Sequence, residues 1–200
     1  IDCWGIRREQ ANGEWQITDF PLKGATTEDL SDYAWPEPHI DEKLLLEWEG
    51  EAKRLKEENR YIIIAHHPVY GILELGCWMC GYDDFLLKMA LDPGFIHAFF
   101  NKVADIQLKV SETYYTVLGD YIHITTSGDD FGSQMGPLIS PEMFDRLIAP
   151  YFSQRIRRTK ELAQCYFWHH SCGSIYKIID NLIGCGVDIL NPIQTSASGM

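Results

Sequence analysis

The sequence predicts an α/β fold built on a parallel β-sheet. Short strand-like apolar runs alternate with segments whose apolar residues recur at helical spacing. The run at 61–65, Tyr-Ile-Ile-Ile-Ala, lacks polar alternation, as expected of a parallel strand covered on both faces. Such alternation implies right-handed β-α-β units, arranged as either a doubly wound sheet or a barrel. Periodicity alone does not choose between them.

Residues 1–60 are predicted to form a lid-like segment and a helix ahead of the first sheet strand. The first forty residues are rich in Trp, Gly, Pro and acidic groups, and the two prolines at 36 and 38 prevent a helix from continuing. We therefore expect an irregular surface segment there. Over 41–59, apolar residues at helical spacing predict one buried helix stripe, formed by Leu44, Trp48, Ala52 and Leu55.

Residues 61–200 are predicted to contain central β/α units. Asp92 and Pro93 suit a helix cap and first helical position, so a long helix is expected from there to about Gly119. A second helix should begin at Ser140 and be kinked or divided at Pro150. A third should be capped by Ser174. The strands are expected at 61–65, 121–126, 165–169 and 187–190.

Composition excludes several classes of protein. A formal net charge of -12 argues against nucleic acid as a partner, because phosphate binding requires Lys and Arg. The apolar runs are too short to cross a bilayer and no signal segment opens the chain, which favours a cytoplasmic protein without membrane contact. The six cysteines are expected to be reduced thiols, since the chain has enough apolar material for a core.

Polar residues follow the predicted strands, where active sites of parallel α/β folds form. In the segment 170–172, His and Cys alternate, so an extended backbone would point both side chains to the same side. An imidazole nitrogen and a thiolate could then hold one zinc ion with a coordination position left open. Alternatively, His170 caps a carbonyl and Cys172 is a small buried hydrophobe.

The other strand ends offer further candidates. Asp129 and Asp130 could position a substrate, accept a proton or bind a cation, or one could cap a turn while the other enters the site. The amides of Gln134, Asn191 and Gln194 could orient a ligand or close a loop. His66 and His67 follow a strand and are candidates for substrate binding. Cys77 and Cys80 have the spacing of redox and zinc motifs, but no second pair accompanies them.

Several segments, taken in order, resemble the uroporphyrinogen decarboxylase superfamily, and particularly its methyltransferase branch. The resemblance implies a (β/α)8 barrel, present here as a partial barrel. Because the chain starts at Ile1 and stops after a strand-like segment, we expect a fragment that associates with missing segments or with a second chain, for example as a homo-oligomer. The matching segments are 2–5, 81–86 before Asp92-Pro93, 128–134 leading to 140–144, 170–174 and 186–194.

The superfamily contains at least two chemistries. Its decarboxylases act on a tetrapyrrole without a cofactor and depend on an N-terminal arginine motif and an early aspartate, neither of which is recognisable here. Its zinc-dependent relatives move a methyl group between a corrinoid and a thiol, with zinc held by a His-x-Cys pair and a later cysteine. His170 and Cys172 match that pair, and the third ligand would lie beyond Met200.

The resemblance therefore implies a methyltransferase in which zinc activates a thiol for attack on a corrinoid-bound methyl group. Its partners would be a corrinoid protein or free corrinoid and a small thiol acceptor. The alternatives are a tetrapyrrole decarboxylase and a non-catalytic relative that binds a corrinoid or another ligand. On the leading hypothesis Asp129 and Asp130 are catalytic, and the substrate-binding residues are His66, His67, Gln134, Asn191 and Gln194.

Overall fold

A β-hairpin opens the chain in the computed structural model, which describes residues 1–200. Its strands, β1 (Arg7–Ala11) and β2 (Glu14–Asp19), pair antiparallel, and a short helix α1 (Asp29–Asp32) follows. The turn residues Asn12 and Gly13 have positive φ values of 53° and 84°, as a tight hairpin turn requires. The segment expected to be irregular is therefore partly regular, and its Asn-Gly pair is the sequence signal for the hairpin.

Helix α2 (Glu42–Glu58) matches the first predicted helix. The Asp41 side chain caps it by accepting the Leu44 N–H at 2.9 Å. Its buried residues are Leu45 and Ala52, whereas Leu44 and Trp48 remain about two-fifths exposed at 40% and 41%. The buried stripe is therefore narrower than the apolar spacing suggests, because two of the predicted residues lie at its margin.

Four parallel strands form the central sheet, in the order in which they occur in the chain. The first three are β3 (Ile64–His66), β4 (Ile124–Gly128) and β5 (Tyr166–His170), and the fourth is β6 (Ile189–Asn191). All four predicted strands exist, displaced by one to three residues towards the C-terminus. Each strand therefore ends nearer to, or inside, a segment that was predicted to contribute to the site.

Helices cover one face of this sheet. Between β3 and β4 lie α3 (Ile72–Cys80), α4 (Tyr82–Leu91) and α5 (Pro93–Leu118). Asp92 caps α5 by accepting the Phe95 N–H at 3.0 Å, as the sequence predicts. After β4 come α6 (Pro141–Met143), a π-helical turn (Phe144–Ile148) and α7 (Ala149–Ala163), and after β5 come a 3₁₀ turn (Tyr176–Ile178) and α8 (Ile179–Cys185).

Pro150 does not divide its helix. It lacks the N–H that would bond the Arg146 carbonyl, and the π-helical turn lies immediately before it. Widening the helix by one residue accommodates the ring, so α7 continues to Ala163. Ser174, by contrast, does not cap the third helix: its Oγ donates to the Ser198 carbonyl at 2.5 Å, and the helix begins as a 3₁₀ turn without a side-chain cap.

The two faces of the sheet differ in exposure. Side chains that face the helices, such as Ala65, Thr125 and Phe167, are buried, whereas those on the opposite face, such as Tyr166 and His170, are exposed. Ile64 on the first strand is 46% exposed in this chain, so the sheet face opposite the helices is open. The open face forms one wall of a cleft, and the strand side chains that point to this face line the cleft.

Candidate metal centre

Three potential metal ligands meet at the C-terminal end of the sheet. His170 ends β5, Cys172 follows in the next loop, and Asp130 follows β4. Their ligand atoms all lie within 4.8 Å of one another. Cys172 Sγ is 3.2 Å from His170 Nε2, which is 3.8 Å from Asp130 Oδ1. The His170 and Cys172 side chains thus point to the same side, as their alternation predicts. Asp130 provides a third potential ligand from the same chain.

Neighbouring groups orient this triad. Asn191 Oδ1 lies 3.2 Å from His170 Nδ1, so it accepts the proton of the tautomer that leaves Nε2 free as a metal ligand. Asp130 Oδ1 accepts the Cys172 backbone N–H at 2.6 Å. This bond ties the loop after β4 to the loop after β5, and the carboxylate is held beside the thiol.

The electrostatic surroundings of the triad fit a cation. Partial burial and the negative charges of Asp130 and Glu74 raise the pKa of the Cys172 thiol. These surroundings favour the protonated thiol over the thiolate in the absence of a cation. A divalent cation would be stabilised by the same negative charges, and an imidazole, a thiolate and a carboxylate form a donor set that zinc accepts.

Asp129 has a different environment from its neighbour. It is fully buried, and its carboxylate accepts the N–H groups of Leu73 at 3.0 Å and Glu74 at 2.9 Å in the first turn of α3. Burial raises the pKa of Asp129 to about 6, although these backbone hydrogen bonds oppose the shift. The two adjacent aspartates therefore point in different directions. Asp129 caps the first turn of α3, and Asp130 lies in the triad.

Glu74 is an acidic neighbour of the candidate site that the sequence analysis did not predict. Burial, with the charges of Asp129 and Asp130, raises the pKa of Glu74 to about 7. It lies in the first turn of a helix that carries apolar residues on every side, so no helical periodicity marks its position. The available signal was an acidic residue shortly after a strand end, about where a covering helix must begin.

The two adjacent histidines also diverge. His66 points to the open face of the sheet, and its Nδ1 lies 2.9 Å from Thr126 Oγ1. It lines a cleft of about 570 Å³ together with Trp168, His170 and Asn191. His67 is only 8% exposed, and burial holds its pKa well below the ordinary histidine value. Its Nε2 lies 3.4 Å from Thr159 Oγ1 in α7.

Two glutamine side chains connect the loops around the triad. Gln194 Oε1 accepts the Gly173 N–H at 2.8 Å, and its Nε2 donates to Gln134 Oε1 at 2.9 Å. The bridge joins the loops after β4, β5 and β6. The contacts of Gln134 and Gln194 are those of loop closure. Their other predicted role, orienting a ligand, stays a prediction.

The isolated Cys-x-x-Cys pair lies away from this cluster. Cys77 and Cys80 are both buried within α3, and burial is the main cause that raises the pKa of each thiol. All six cysteines are free thiols. No helix of the structure is both long enough and apolar enough to cross a membrane.

A parallel sheet with helices on one face and polar residues at its C-terminal edge is typical of barrel-type α/β proteins. Residues 50–195 match the family model for uroporphyrinogen decarboxylase (URO-D), and the chain belongs to that family. No curated protein matches the chain. Among solved structures, the chain is similar to a methyltransferase from Methanosarcina mazei, with 14% sequence identity and a TM-score of 0.60.

The alignment with that methyltransferase covers 94% of this chain and 52% of the other. The chain therefore spans about half the length of the solved structure it matches. Both the predicted family and the predicted fold, a partial (β/α)8 barrel, are confirmed. At this level of identity the structural likeness concerns the fold, and the reaction has to be argued from the site.

Proposed function

We propose that the chain carries the zinc site of a methyltransferase that moves a methyl group between a corrinoid and a thiol. The observation that supports this most directly is the convergence of Asp130, His170 and Cys172 within 4.8 Å. His170 Nε2, Cys172 Sγ and a carboxylate oxygen of Asp130 would hold the ion. Asp130 would be the third ligand. The family resemblance instead places the third ligand beyond Met200.

With three protein ligands, a fourth coordination position stays available for the substrate thiol. Bound zinc lowers the pKa of a coordinated thiol, which makes the thiolate a nucleophile at neutral pH. The residues of the chain position this group. Asn191 orients His170, and the hydrogen bond between Asp130 and the Cys172 N–H holds the loop in place.

The cleft beside the triad would receive the acceptor thiol. It is lined by Trp168 and Ile64 as apolar groups and by His66 as a polar group, and its volume of about 570 Å³ suits a small molecule. His66 Nδ1 is engaged by Thr126, so its other ring nitrogen is available to hydrogen-bond a ligand. We assign His66 to substrate binding, and the more deeply buried His67 also contributes to the lining of this cleft.

Decarboxylation of a tetrapyrrole is the alternative, and a substrate with many carboxylates would require Arg or Lys side chains to pair with them. The part of the cleft lining that this chain contributes holds neither. The methyl donor would be a corrinoid, free or carried by a partner protein, and the acceptor a small thiol.

The proposal can be tested by methyl transfer from methylcobalamin to a small thiol, measured with the full-length protein. Cys172→Ala should lower the rate by more than about 100-fold, the upper range for loss of a residue that merely supports a metal ligand. Cys185→Ala, which removes a buried thiol of α8 outside the triad, is the matched control and should retain the rate. Equal rates for the two variants would contradict the proposal.

A further inference from the structure

Asp129 connects two parts of the molecule that lie far apart in the sequence. Its side chain follows β4, and its two oxygens bond the N–H groups of Leu73 and Glu74 in the first turn of α3. Its own backbone N–H donates to the His170 carbonyl at 3.0 Å. The residue is therefore fixed to α3 through its side chain and to the metal-ligand histidine through its backbone.

The packing around Asp129 leaves no space for a substrate. It is fully buried, and a Cβ atom on Gly71 would lie 2.4 Å from its Cγ and 2.5 Å from the Gly128 carbonyl oxygen. The glycine thus permits the close approach of the α3 N-terminus to the carboxylate. Both carboxylate oxygens already accept hydrogen bonds, which favours a fixed structural anion over a group that exchanges partners with a ligand.

The next residue is the proposed metal ligand. The backbones of Asp129 and Asp130 are joined by one peptide unit, and Asp130 Oδ1 also accepts the Cys172 N–H. Any displacement of Asp129 from α3 would therefore be transmitted to the ligand oxygen and to the thiol loop. Charge-assisted bonds of this type are stronger than neutral ones, so they suit the anchoring of a ligand set.

We propose that Asp129 is a positioning residue, which anchors the Asp130–His170–Cys172 cluster to the N-terminus of α3 and takes no direct part in the reaction. The inference rests on the proposed metal site. It predicts that the affinity and geometry of the bound metal depend on a side chain that never touches the ion.

Asp129→Asn in the full-length protein tests this inference. The amide replaces one acceptor oxygen by a donor, so one of the two bonds to α3 is lost while all three ligand side chains remain. We expect the zinc dissociation constant to rise by about 10-fold or more. We also expect the visible absorption bands of the Co²⁺-substituted protein to change in position or intensity, because the ligand geometry relaxes.

Asp92→Asn is the matched control. Asp92 caps α5 with a bond of the same kind, to the Phe95 N–H at 3.0 Å, but contacts none of the ligands. It should change neither zinc affinity nor the cobalt spectrum, because asparagine is also a good N-cap residue and this cap lies outside the metal site. If Asp129→Asn leaves both metal readouts unchanged, or if Asp92→Asn changes them equally, the inference is overturned.

A measurement on the unaltered protein keeps the inference testable if Asp129→Asn does not fold. Zinc binding should slow hydrogen exchange at the Leu73 and Glu74 amides and leave the Phe95 amide unchanged. Zinc binding without this protection would overturn the positioning role alone. Failure of the unaltered protein to bind zinc at all would instead overturn the proposed metal site.

Discussion

Asn191 Oδ1 lies 3.2 Å from His170 Nδ1, and the two residues are direct neighbours across β5 and β6. Parallel pairing therefore brings the amide to the imidazole without help from a loop. A ligating histidine usually donates its second ring N–H to such an acceptor, which fixes both the tautomer and the ring orientation. The sheet register itself thus prepares His170 to present Nε2.

Asn191→Ala should weaken zinc binding by about 10- to 100-fold, because the histidine loses the acceptor that fixes its tautomer. Asn191→Asp retains an acceptor at the same place and should preserve most of the affinity. Competition with a chelator of known zinc affinity measures both. Equal affinities for the alanine variant and the unaltered protein would show that the contact does not orient the histidine.

Gly173→Ala should destabilise the fold and weaken the metal site together. The residue has a φ of +85°, and a Cβ there would lie 2.5 Å from the Gly132 carbonyl carbon. Strain and overpacking of this kind cost about 1–3 kcal/mol, and the loop that must move carries Cys172.

Gly184→Ala is the control for that substitution. This glycine lies in α8 with nothing within 4 Å of an added Cβ, so alanine should be neutral or stabilise by up to about 1 kcal/mol. Chemical denaturation measures both variants. The account of Gly173 would be wrong if the two variants had the same free energy of unfolding.

Because His67 is buried, the free energy of unfolding should decrease at acidic pH. Burial holds its pKa well below the ordinary histidine value in the folded state, so the unfolded chain binds the extra proton. Its contribution to stability is therefore complete above pH of about 6.5 and is lost as the pH falls below that value, with a slope approaching about 1.4 kcal/mol per pH unit. His169, with a pKa lowered to about 3 mainly by burial, acts in the same direction.

His67→Gln should flatten the dependence of the unfolding free energy on pH between about 6.5 and 5. His39→Gln changes an exposed histidine and serves as the control, with the slope of the unaltered protein. Denaturation midpoints at several pH values measure the slopes. Equal slopes for the two variants would show that His67 does not cause the loss of stability in acid.

The strand and helix order was predictable because parallel β/α units leave a strong local pattern. The 26-residue helix α5 has an apolar stripe and an Asp-Pro start, and both are visible in the sequence. Helix α3 was not predicted, because seven of its nine residues are buried and it therefore lacks a polar face. Local patterns do not mark an element that is buried on all sides.

The site was only partly predictable for a related reason. Polar residues after strand ends identified Asp130, His170 and Cys172, since parallel strands bring their C-terminal ends to one edge. Sequence spacing could not tell which of two adjacent aspartates, or of two adjacent histidines, would face the cleft. In the structure Asp129 and His67 are buried, whereas Asp130 and His66 are more exposed.

The most direct test of the metal site is the zinc content of the purified full-length protein, measured beside a His170→Ala/Cys172→Ala double variant. We expect about one zinc ion per chain in the unaltered protein, bound by three protein ligands, and its loss in the double variant. A full-length protein without zinc, or a double variant that retains it, would contradict the assignment of this cluster as a metal centre.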